Sequence, residues 1–228
     1  MKKIIFILFL FVSCYYIYEA TYNSKLHYVS LGDGISKGMN SYGMVSYGYS
    51  DYIKTHLISK DRLSSYNKSF AKADIRIIDI INMIEDNAVT NTSDGELSIN
   101  QLLGRADIIS LSVGMSELSY KLNINTDNIY EYIDNMIGEA DILFKYIDKY
   151  DSKYVFVIGY YNIYNGKDDI FDYANIKLKK LCNKYKFSFI SVSKLPSEYV
   201  IDRTRNNYYP STEGYRFIAN KITERLDF

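Results

Sequence analysis

Cysteine is scarce in this chain, which has only Cys14 and Cys182 among its 228 residues. Cys14 lies in an apolar N-terminal run, so the rest of the chain has a single cysteine and no partner for an internal disulfide. Neither thiol redox chemistry nor a metal site built from cysteines is therefore indicated.

A surplus of charge of either sign is also absent. Lys and Arg number 27, and Asp and Glu number 27, so the formal net charge is zero. Proteins that bind nucleic acid usually carry a basic surplus, and this composition does not indicate such a partner. The length of 228 residues is sufficient for one globular domain with a sizeable core.

Tyrosine, in contrast, is abundant, with 25 residues. Two explanations are open. The rings could form a surface that stacks on sugars, or a genome of low GC content could enrich Tyr, Lys, Ile and Asn together through their AT-rich codons.

Residues 1–20 have the pattern of a targeting segment. Lys2 and Lys3 precede an almost unbroken apolar run over residues 4–18, which ends before Glu19. Because the lysines stay inside, the remainder of the chain is expected to be exported. The run could remain as an anchor with interfacial tyrosines, could be lipid-modified at Cys14 as in a bacterial lipobox, or could be cleaved. We expect an extracytoplasmic protein attached to the membrane by an anchor or a lipid.

Beyond the leader, five strand-like runs alternate with runs of helical periodicity. The strand-like runs are Leu26–Leu31, Leu63–Phe70, Asp107–Val113, Lys153–Gly159 and Phe187–Val192. The helical runs are Ser50–Ser59, Ile75–Glu85, Ile129–Lys149, Phe171–Tyr185 and Thr212–Leu226. Thr126 is expected to supply a polar start to the helical run that begins at Ile129. Ser211 is expected to do the same for the run that begins at Thr212.

This alternation predicts a doubly wound five-stranded parallel sheet in one α/β domain of residues 25–228. In such a sheet, sites form beyond the carboxyl ends of the strands. The polar stretch Asn87–Glu96 is expected to be a loop.

The turn after the first strand reads Leu31-Gly32-Asp33-Gly34-Ile35-Ser36-Lys37-Gly38. It resembles the first block of the SGNH/GDSL hydrolases, Gly-Asp-Ser-(Leu/Ile)-x-x-Gly, whose serine is the nucleophile. Residues 206–215, Asn-Asn-Tyr-Tyr-Pro-Ser-Thr-Glu-Gly-Tyr, resemble the last block, Asp-x-x-His-Pro-x-x-x-Gly-Tyr, in spacing. The resemblance covers the exported part of the chain. It implies a flavodoxin-like three-layer SGNH hydrolase fold.

Mapped through that resemblance, the catalytic positions of the family carry other residues here. They are Gly34 for the nucleophile, Ser116 for the oxyanion-binding asparagine, Asn206 for the orienting acid and Tyr209 for the histidine. The family's second block is a glycine, but this chain has none between Gly48 and Gly95, and Asp74 or Lys72 takes that place.

These exchanges argue against ester hydrolysis. Gly34 offers no nucleophilic atom, and Tyr209 is a poor base near neutral pH because the usual pKa of a tyrosine is about 10. His27 lies about 13 Å along its strand from the active end, at about 3.3 Å per residue. The other histidine, His56, falls within the first helix. In the serine-protease template, converting only the orienting acid to its amide lowers kcat about 10⁴-fold.

The favoured interpretation is therefore a non-catalytic binding domain. The alternative is an active esterase or lipase that uses relocated residues such as Ser36 or Ser116. Ser36 lies about 200° around a helix from the nucleophile position, so we expect it to face away from the cleft and to help start the next segment.

The remaining cleft is expected to bind an acylated glycan or a lipid, as the family's usual substrates suggest. The expected contact residues are Asp33, Ser36, Gly114, Glu117, Tyr161 and Tyr208. Further rim residues are expected to be Tyr42, Tyr47, Tyr49 and Tyr160. The carboxylates of Asp33, Asp74 and Glu117 could converge, but without nearby histidines we expect a hydrated acidic cleft, with no metal and no cofactor.

Overall fold

A parallel sheet of five strands forms the centre of the computed structural model, which describes residues 7, 9–15, 25–40, 42–92, 95–200 and 209–227. The strands of this sheet are β1 (Leu26–Gly32), β2 (Leu63–Asn67), β5 (Ile108–Ser112), β6 (Tyr154–Ile158) and β7 (Ser188–Ile190), in the spatial order β2-β1-β5-β6-β7. A separate antiparallel hairpin consists of β3 (Val89–Thr92) and β4 (Gly95–Ser98).

Helices connect the strands and cover both faces of the sheet. They are α1 (Gly34–Lys37), α2 (Tyr49–Ser59), α3 (Ile77–Glu85), α4 (Ile99–Arg105), α5 (Met115–Ile124), α6 (Ile129–Asp148), α7 (Asp168–Lys184) and α8 (Thr212–Thr223). A short 3₁₀ turn spans Ser197–Tyr199. Helix α2 packs against α8, whereas α3, α6 and α7 pack against one another in succession.

The central strands are apolar on both faces because helices cover both. All five residues of β5 are buried, and β5 pairs in parallel with β1 and β6. Continuous burial of this kind is characteristic of parallel sheets between two helical layers. Helix α3 shows the complementary pattern: Ile77, Ile80, Ile81 and Ile84 form one buried stripe.

The structure confirms the five predicted strands of the sheet and the five predicted helices, with ends that differ by at most three residues. The expected loop over Asn87–Glu96 is wrong, because β3 and the start of β4 pair there as a hairpin. Helices α4 and α5 were not predicted. Helix α4 has only 7 residues, and the buried residues of α5 include two serines, which weakens its apolar periodicity.

One of the two predicted helix starts is confirmed. The Ser211 hydroxyl accepts a hydrogen bond from the Gly214 N–H at the start of α8. At the start of α6 the cap is Asn128, in a left-handed conformation, and Thr126 contributes its backbone carbonyl to the Ile129 N–H.

Within the leader, residues 7 and 9–15 are helical and mostly exposed. Among the residues that the structure describes, no helix is long and apolar enough to cross a membrane.

Candidate active site at the carboxyl edge

The turn after β1 is tied to the end of β5 by hydrogen bonds. The Asp33 N–H donates to the Ser112 carbonyl at 2.8 Å, and the Ser112 hydroxyl donates to Asp33 Oδ1 at 2.9 Å. Asp33 also caps α1, since Oδ1 accepts from the Ile35 N–H at 3.0 Å. Gly32 permits this approach: its φ of 130° suits glycine, and a Cβ there would collide with the Ser112 backbone.

The side chain of Tyr209 fills the space directly beside Gly34. A Cβ placed on Gly34 would lie 2.5 Å from Cε1 and 2.7 Å from Cζ of Tyr209, with the phenol oxygen closer still. Real Cβ atoms do not tolerate such distances, so any side chain at position 34 requires the tyrosine ring to move. Tyr209 is itself buried. The ring therefore lies where a side chain at position 34 would begin.

The segment that follows Tyr209 is held in place on both sides. Pro210 forms a bridge with Val200, and the Ser211 N–H donates to the Tyr199 carbonyl at 2.7 Å. The buried Tyr215 hydroxyl donates to the Met39 carbonyl at 2.6 Å, which links the start of α8 to the chain just after α1. These contacts hold the backbone beside Tyr209, whose ring lies against Gly34 at the start of α1.

Burial raises the pKa of the Asp33 carboxyl to about 6. The Ser112 hydroxyl and the N–H groups of Ile35, Ser116 and Ser36 favour the carboxylate and oppose that rise. Oδ2 makes no hydrogen bond of good geometry with the described residues. Asp33 is thus a buried acid that joins strand ends, with one oxygen left facing the interior.

Two further buried hydroxyls lie close to Asp33 at the ends of β5 and β6. The Ser116 Oγ and the Tyr160 hydroxyl are buried, and neither has a hydrogen-bond partner in the described parts of the chain. The Tyr160 hydroxyl sits 2.8 Å from where a Cβ of Gly114 would be. Burial, followed by the charges of Glu117 and Asp33, raises the pKa of Tyr160. The site is therefore rich in buried polar groups that lack protein partners.

Glu117 is half-buried and holds the start of a neighbouring helix. Its Oε2 accepts the Ile77 N–H at 3.0 Å, at the first residue of α3. Burial raises the pKa of this carboxyl to about 7; the Ile77 N–H lowers it, and the nearby Glu139 and Asp33 raise it further. Glu117 acts here as a helix cap with an elevated pKa.

The two candidates for the second block differ in their backbone roles. The Lys72 N–H donates to the Gly32 carbonyl at 3.0 Å, so this donor is occupied by β1. Asp74 is exposed and has a φ of 55°, the left-handed conformation that glycine adopts most easily. A glycine-like backbone thus persists at Asp74.

Ser36 is fully buried and committed to structural hydrogen bonds. Its hydroxyl donates to the Leu31 carbonyl at 2.9 Å, lies 2.9 Å from the Tyr49 hydroxyl and accepts the Ser112 N–H at 3.1 Å. The expectation that Ser36 contacts a ligand is therefore wrong: the side chain points beneath the sheet end, into a polar network that also includes Ser30 and Ser110.

Other expected contact residues are buried as well. Tyr161 is 1% exposed, and Tyr49 and Tyr160 are also core residues, so these three rings cannot line an open cleft as expected. Asp33 and Gly114 are buried, which leaves Glu117 partly accessible. Asp33, Gly114, Tyr160 and Tyr161 come shortly after the ends of strands, whereas Tyr49 is the first residue of α2. Tyr42 and Tyr47 are exposed, and Asn206 and Tyr208 lie outside the described residues.

In the described part of the chain, Ser112 and Ser65 each lie within hydrogen-bond distance of a group that could act as a base. Ser112 contacts Asp33, as described above, but both side chains are almost fully buried. Ser65 lies 2.7 Å from Nδ1 of His27. These two residues are register partners on β1 and β2, near the amino ends of the strands. In the serine-protease template the base faces serine through Nε2, and Nδ1–H is held by an acid. The His27–Ser65 pair lacks that arrangement and lies away from the site of Gly34.

His56 lies in the last turn of α2, and burial together with the charge of Lys60 lowers its pKa. Within the described ranges, no group of three or more His, Cys, Asp or Glu residues is arranged to hold a metal ion.

Sequence reasoning missed the packing of Tyr209 on Gly34 and the role of Ser112. A signal for the first was present. The side chains of a nucleophile and its base touch each other. Glycine at the first position leaves a space, and the larger tyrosine ring at the second position can fill it. No sequence signal marked Ser112, because it is a single polar residue at the end of a buried strand.

The chain has the three-layer α/β hydrolase fold, as comparison with solved structures shows. The lipase Lip_vut3 from a goat rumen metagenome superposes with a TM-score of 0.71 at 20% identity, over 88% of this chain and 97% of that one. Axe2, an acetylxylan esterase from Geobacillus stearothermophilus, gives 0.63 at 15% identity, over 90% and 96%. LAE5, an alpha/beta hydrolase from the metagenome of Lake Arreo in Spain, gives 0.61 at 16% identity, over 88% and 94%.

Identities this low make the likeness one of fold. No protein-family model matches the sequence, and no curated protein matches it by sequence.

Proposed function

We propose that this chain is an exported, membrane-attached SGNH-like domain that binds a ligand without hydrolysing it. The ligand class is an acylated glycan or a lipid of the cell envelope. The single observation that carries the non-catalytic part is that Gly34 has no side chain and that the ring of Tyr209 occupies the space where one would begin.

The neighbouring esterase supports this interpretation. Axe2 has been solved as catalytic mutants in which a serine, an aspartate or a histidine is replaced by alanine, the last two lying three positions apart. Asn206 and Tyr209 have that same spacing in this chain. The family resemblance places Gly34 at the serine.

A relocated nucleophile has little support from the geometry. Ser36 is buried in three hydrogen bonds. The Ser116 Oγ is buried and makes no hydrogen bond to a base within the described part of the chain. A serine without a base remains a weak nucleophile.

The proposal of an acylated ligand comes from the neighbours. Axe2 is named as an acetyl-xylooligosaccharide esterase, and the first neighbour as a lipase. Glu117 is partly accessible at the candidate site, and its carboxylate could accept hydrogen bonds from sugar hydroxyls.

A fluorophosphonate probe that labels activated serines tests the loss of catalysis. The unmodified protein is expected to remain unlabelled. The triple variant Gly34→Ser, Asn206→Asp, Tyr209→His restores nucleophile, acid and base and also removes the phenol ring, so it is expected to gain labelling. The matched control is Gly34→Ser alone, which adds a serine without a base. Labelling of the unmodified protein that disappears in Ser36→Ala or Ser116→Ala would contradict the proposal.

Ligand binding needs its own measurement. Titration calorimetry with acetylated xylo-oligosaccharides and with a short-chain phospholipid is expected to give binding to one of the two. Tyr208→Ala is expected to weaken that binding, because aromatic faces supply much of a ligand's contact area. Tyr161→Phe is a suitable control, since its ring is buried.

A further inference from the structure

The loop of residues 38–48, described except for residue 41, presents apolar side chains to solvent at the carboxyl edge of the sheet. The exposed fractions are 73% for Tyr42, 58% for Met44 and 57% for Val45. We call these three residues the loop tip. Single exposed apolar residues are ordinary, whereas several on one loop are a feature of interaction sites.

The loop holds its shape through its own backbone. Met39 and Val45 form an antiparallel bridge, and the Ser46 N–H donates to the Gly38 carbonyl at 2.7 Å. The Asn40 side chain accepts the N–H groups of Tyr42 at 2.9 Å and of Met44 at 3.1 Å. The tip is thus carried on a structured projection and contributes little to the core.

Three lysines lie near the base of this projection. Residues 34–50 contain no Asp or Glu, and Lys37 immediately precedes the loop. Burial lowers the pKa of Lys37, and the charges of Lys68 and Lys72 lower it further, which places the three ammonium groups near one another. Lys68 is paired with Asp51 at 2.6 Å, and Lys72 interacts with Asp79, so acids offset part of the charge of these three lysines.

We propose that the loop tip inserts into the interface of an anionic lipid bilayer. Tyrosine is suited to the boundary between water and hydrocarbon, aliphatic side chains reach the acyl region, and nearby lysines attract acidic headgroups. A glycan surface would require polar side chains beside the rings, and Met44 and Val45 offer none. The inference rests on the membrane attachment proposed above.

The chain is long enough for the leader and the loop tip to reach the same bilayer. Residues 16–24 can span at most about 30 Å. The amino end of β1 and the loop lie at opposite ends of this strand. The strand has seven residues and a length of about 23 Å. The leader can therefore reach the bilayer with the amino end of β1 turned away from it.

Tryptophan fluorescence tests this contact directly, because the chain has no tryptophan. Tyr42→Trp introduces a single reporter at the tip. Ile58→Trp is the matched control: Ile58 is 55% exposed near the end of α2, toward the amino edge of the sheet. Each full-length variant is reconstituted in phosphatidylglycerol–phosphatidylcholine vesicles, with and without brominated acyl chains.

The expected result is a blue shift and bromine quenching for Trp at position 42, with neither for Trp at position 58. The shift should shrink in neutral vesicles and at high salt, because screening weakens the attraction of the lysines. Adding Val45→Asp to the Tyr42→Trp variant should abolish the quenching while the folded circular dichroism spectrum is retained.

Three results would overturn the inference. Trp at position 42 could emit as in water on vesicles; it could shift only with protein concentration, which would indicate a second copy; or it could shift only with soluble oligosaccharide. Failure of the underlying attachment is distinguishable: in that case the full-length chain would not sediment with vesicles at all.

Discussion

Gly34 and Tyr209 depend on each other through volume. The tyrosine ring occupies the space that a Cβ at position 34 would need. Restoring a serine is therefore a packing problem before it is a chemical one. A nucleophile at position 34 would require the ring to move or to be replaced.

A double-mutant cycle measures this dependence. Gly34→Ala is expected to lower the free energy of unfolding by about 1–3 kcal/mol, the usual cost of overpacking. In a Tyr209→Ala background the same change should cost far less, which gives a coupling energy of about 1–3 kcal/mol. Urea denaturation provides the four values.

Gly138→Ala is the matched control for that cycle. A Cβ there meets nothing within 4 Å in the interior of α6. Alanine should stabilise the helix by about 0.5–1 kcal/mol. If Gly34→Ala proved as harmless as Gly138→Ala, the steric account of the site would be wrong.

Glu117 predicts a dependence of stability on pH. Its pKa of about 7 in the folded protein lies above the ordinary value of 4.5, so the folded state holds the proton more tightly. The free energy of unfolding should therefore fall as the pH rises from 4.5 to about 7, and then level off. The buried Asp33, with a pKa raised from 3.8 to about 6, contributes a fall of the same sign at lower pH.

Glu117→Gln should flatten the part of this curve above pH 6 and stabilise the protein at pH 8 by about 1–2 kcal/mol, at about 1.4 kcal/mol per pKa unit with some solvent screening. Glutamine keeps an oxygen for the Ile77 N–H, so the cap survives. The exposed Glu131→Gln is the control for loss of one charge. Thermal unfolding from pH 5 to 8 would contradict the account if both variants followed the unmodified protein.

At the scale of single residues, the sequence predicted which residues lie at the site better than it predicted what their side chains contact. Gly34 and Tyr209 were placed together through motif spacing, and they are in contact. The expected ligand contacts of Ser36 and Tyr161 were wrong, because a motif gives the order of residues and not the direction of each side chain. The partners of Ser36 come from Leu31, Tyr49 and Ser112, which no local pattern connects.

At the scale of elements, helix α8 positions the altered site. Its cap at Ser211 and its link from Tyr215 to Met39 hold the preceding Tyr209 in place. The start of α6 lacks an equivalent side-chain cap.

Ser211→Ala should therefore lower stability by about 1 kcal/mol, the typical cost of losing an N-cap. Thr126→Ala should have little effect, although the two positions look alike in sequence. Equal losses for the two variants, measured by thermal unfolding, would contradict the assignment of the caps.

Element prediction succeeded where burial imposes a period. The strands of the sheet and helices such as α3 are apolar runs or stripes that the core requires. The hairpin of β3 and β4 escaped prediction because its strands have four residues each and are largely polar. Helix α5 escaped because buried serines, including Ser116 and Ser119, interrupt its apolar face.

At the scale of the whole molecule, the chain enters β1 at Leu26, and the candidate site lies at the other end of this strand. The N-terminal charges predict that the domain lies outside the cytoplasmic membrane. Protease treatment of intact cells should remove it, while a cytosolic marker stays intact. Protection of the domain, together with its recovery in the cytosolic fraction, would contradict this topology.

The central claim is that a hydrolase fold persists here without hydrolysis. The most direct measurement is the rate at which the purified full-length protein hydrolyses short p-nitrophenyl esters between pH 6 and about 9, compared with the heat-denatured protein. The account predicts equal rates, because Gly34 has no side chain and the described serines near it are buried. Turnover well above the denatured control, lost in Ser116→Ala or Ser36→Ala, would contradict it.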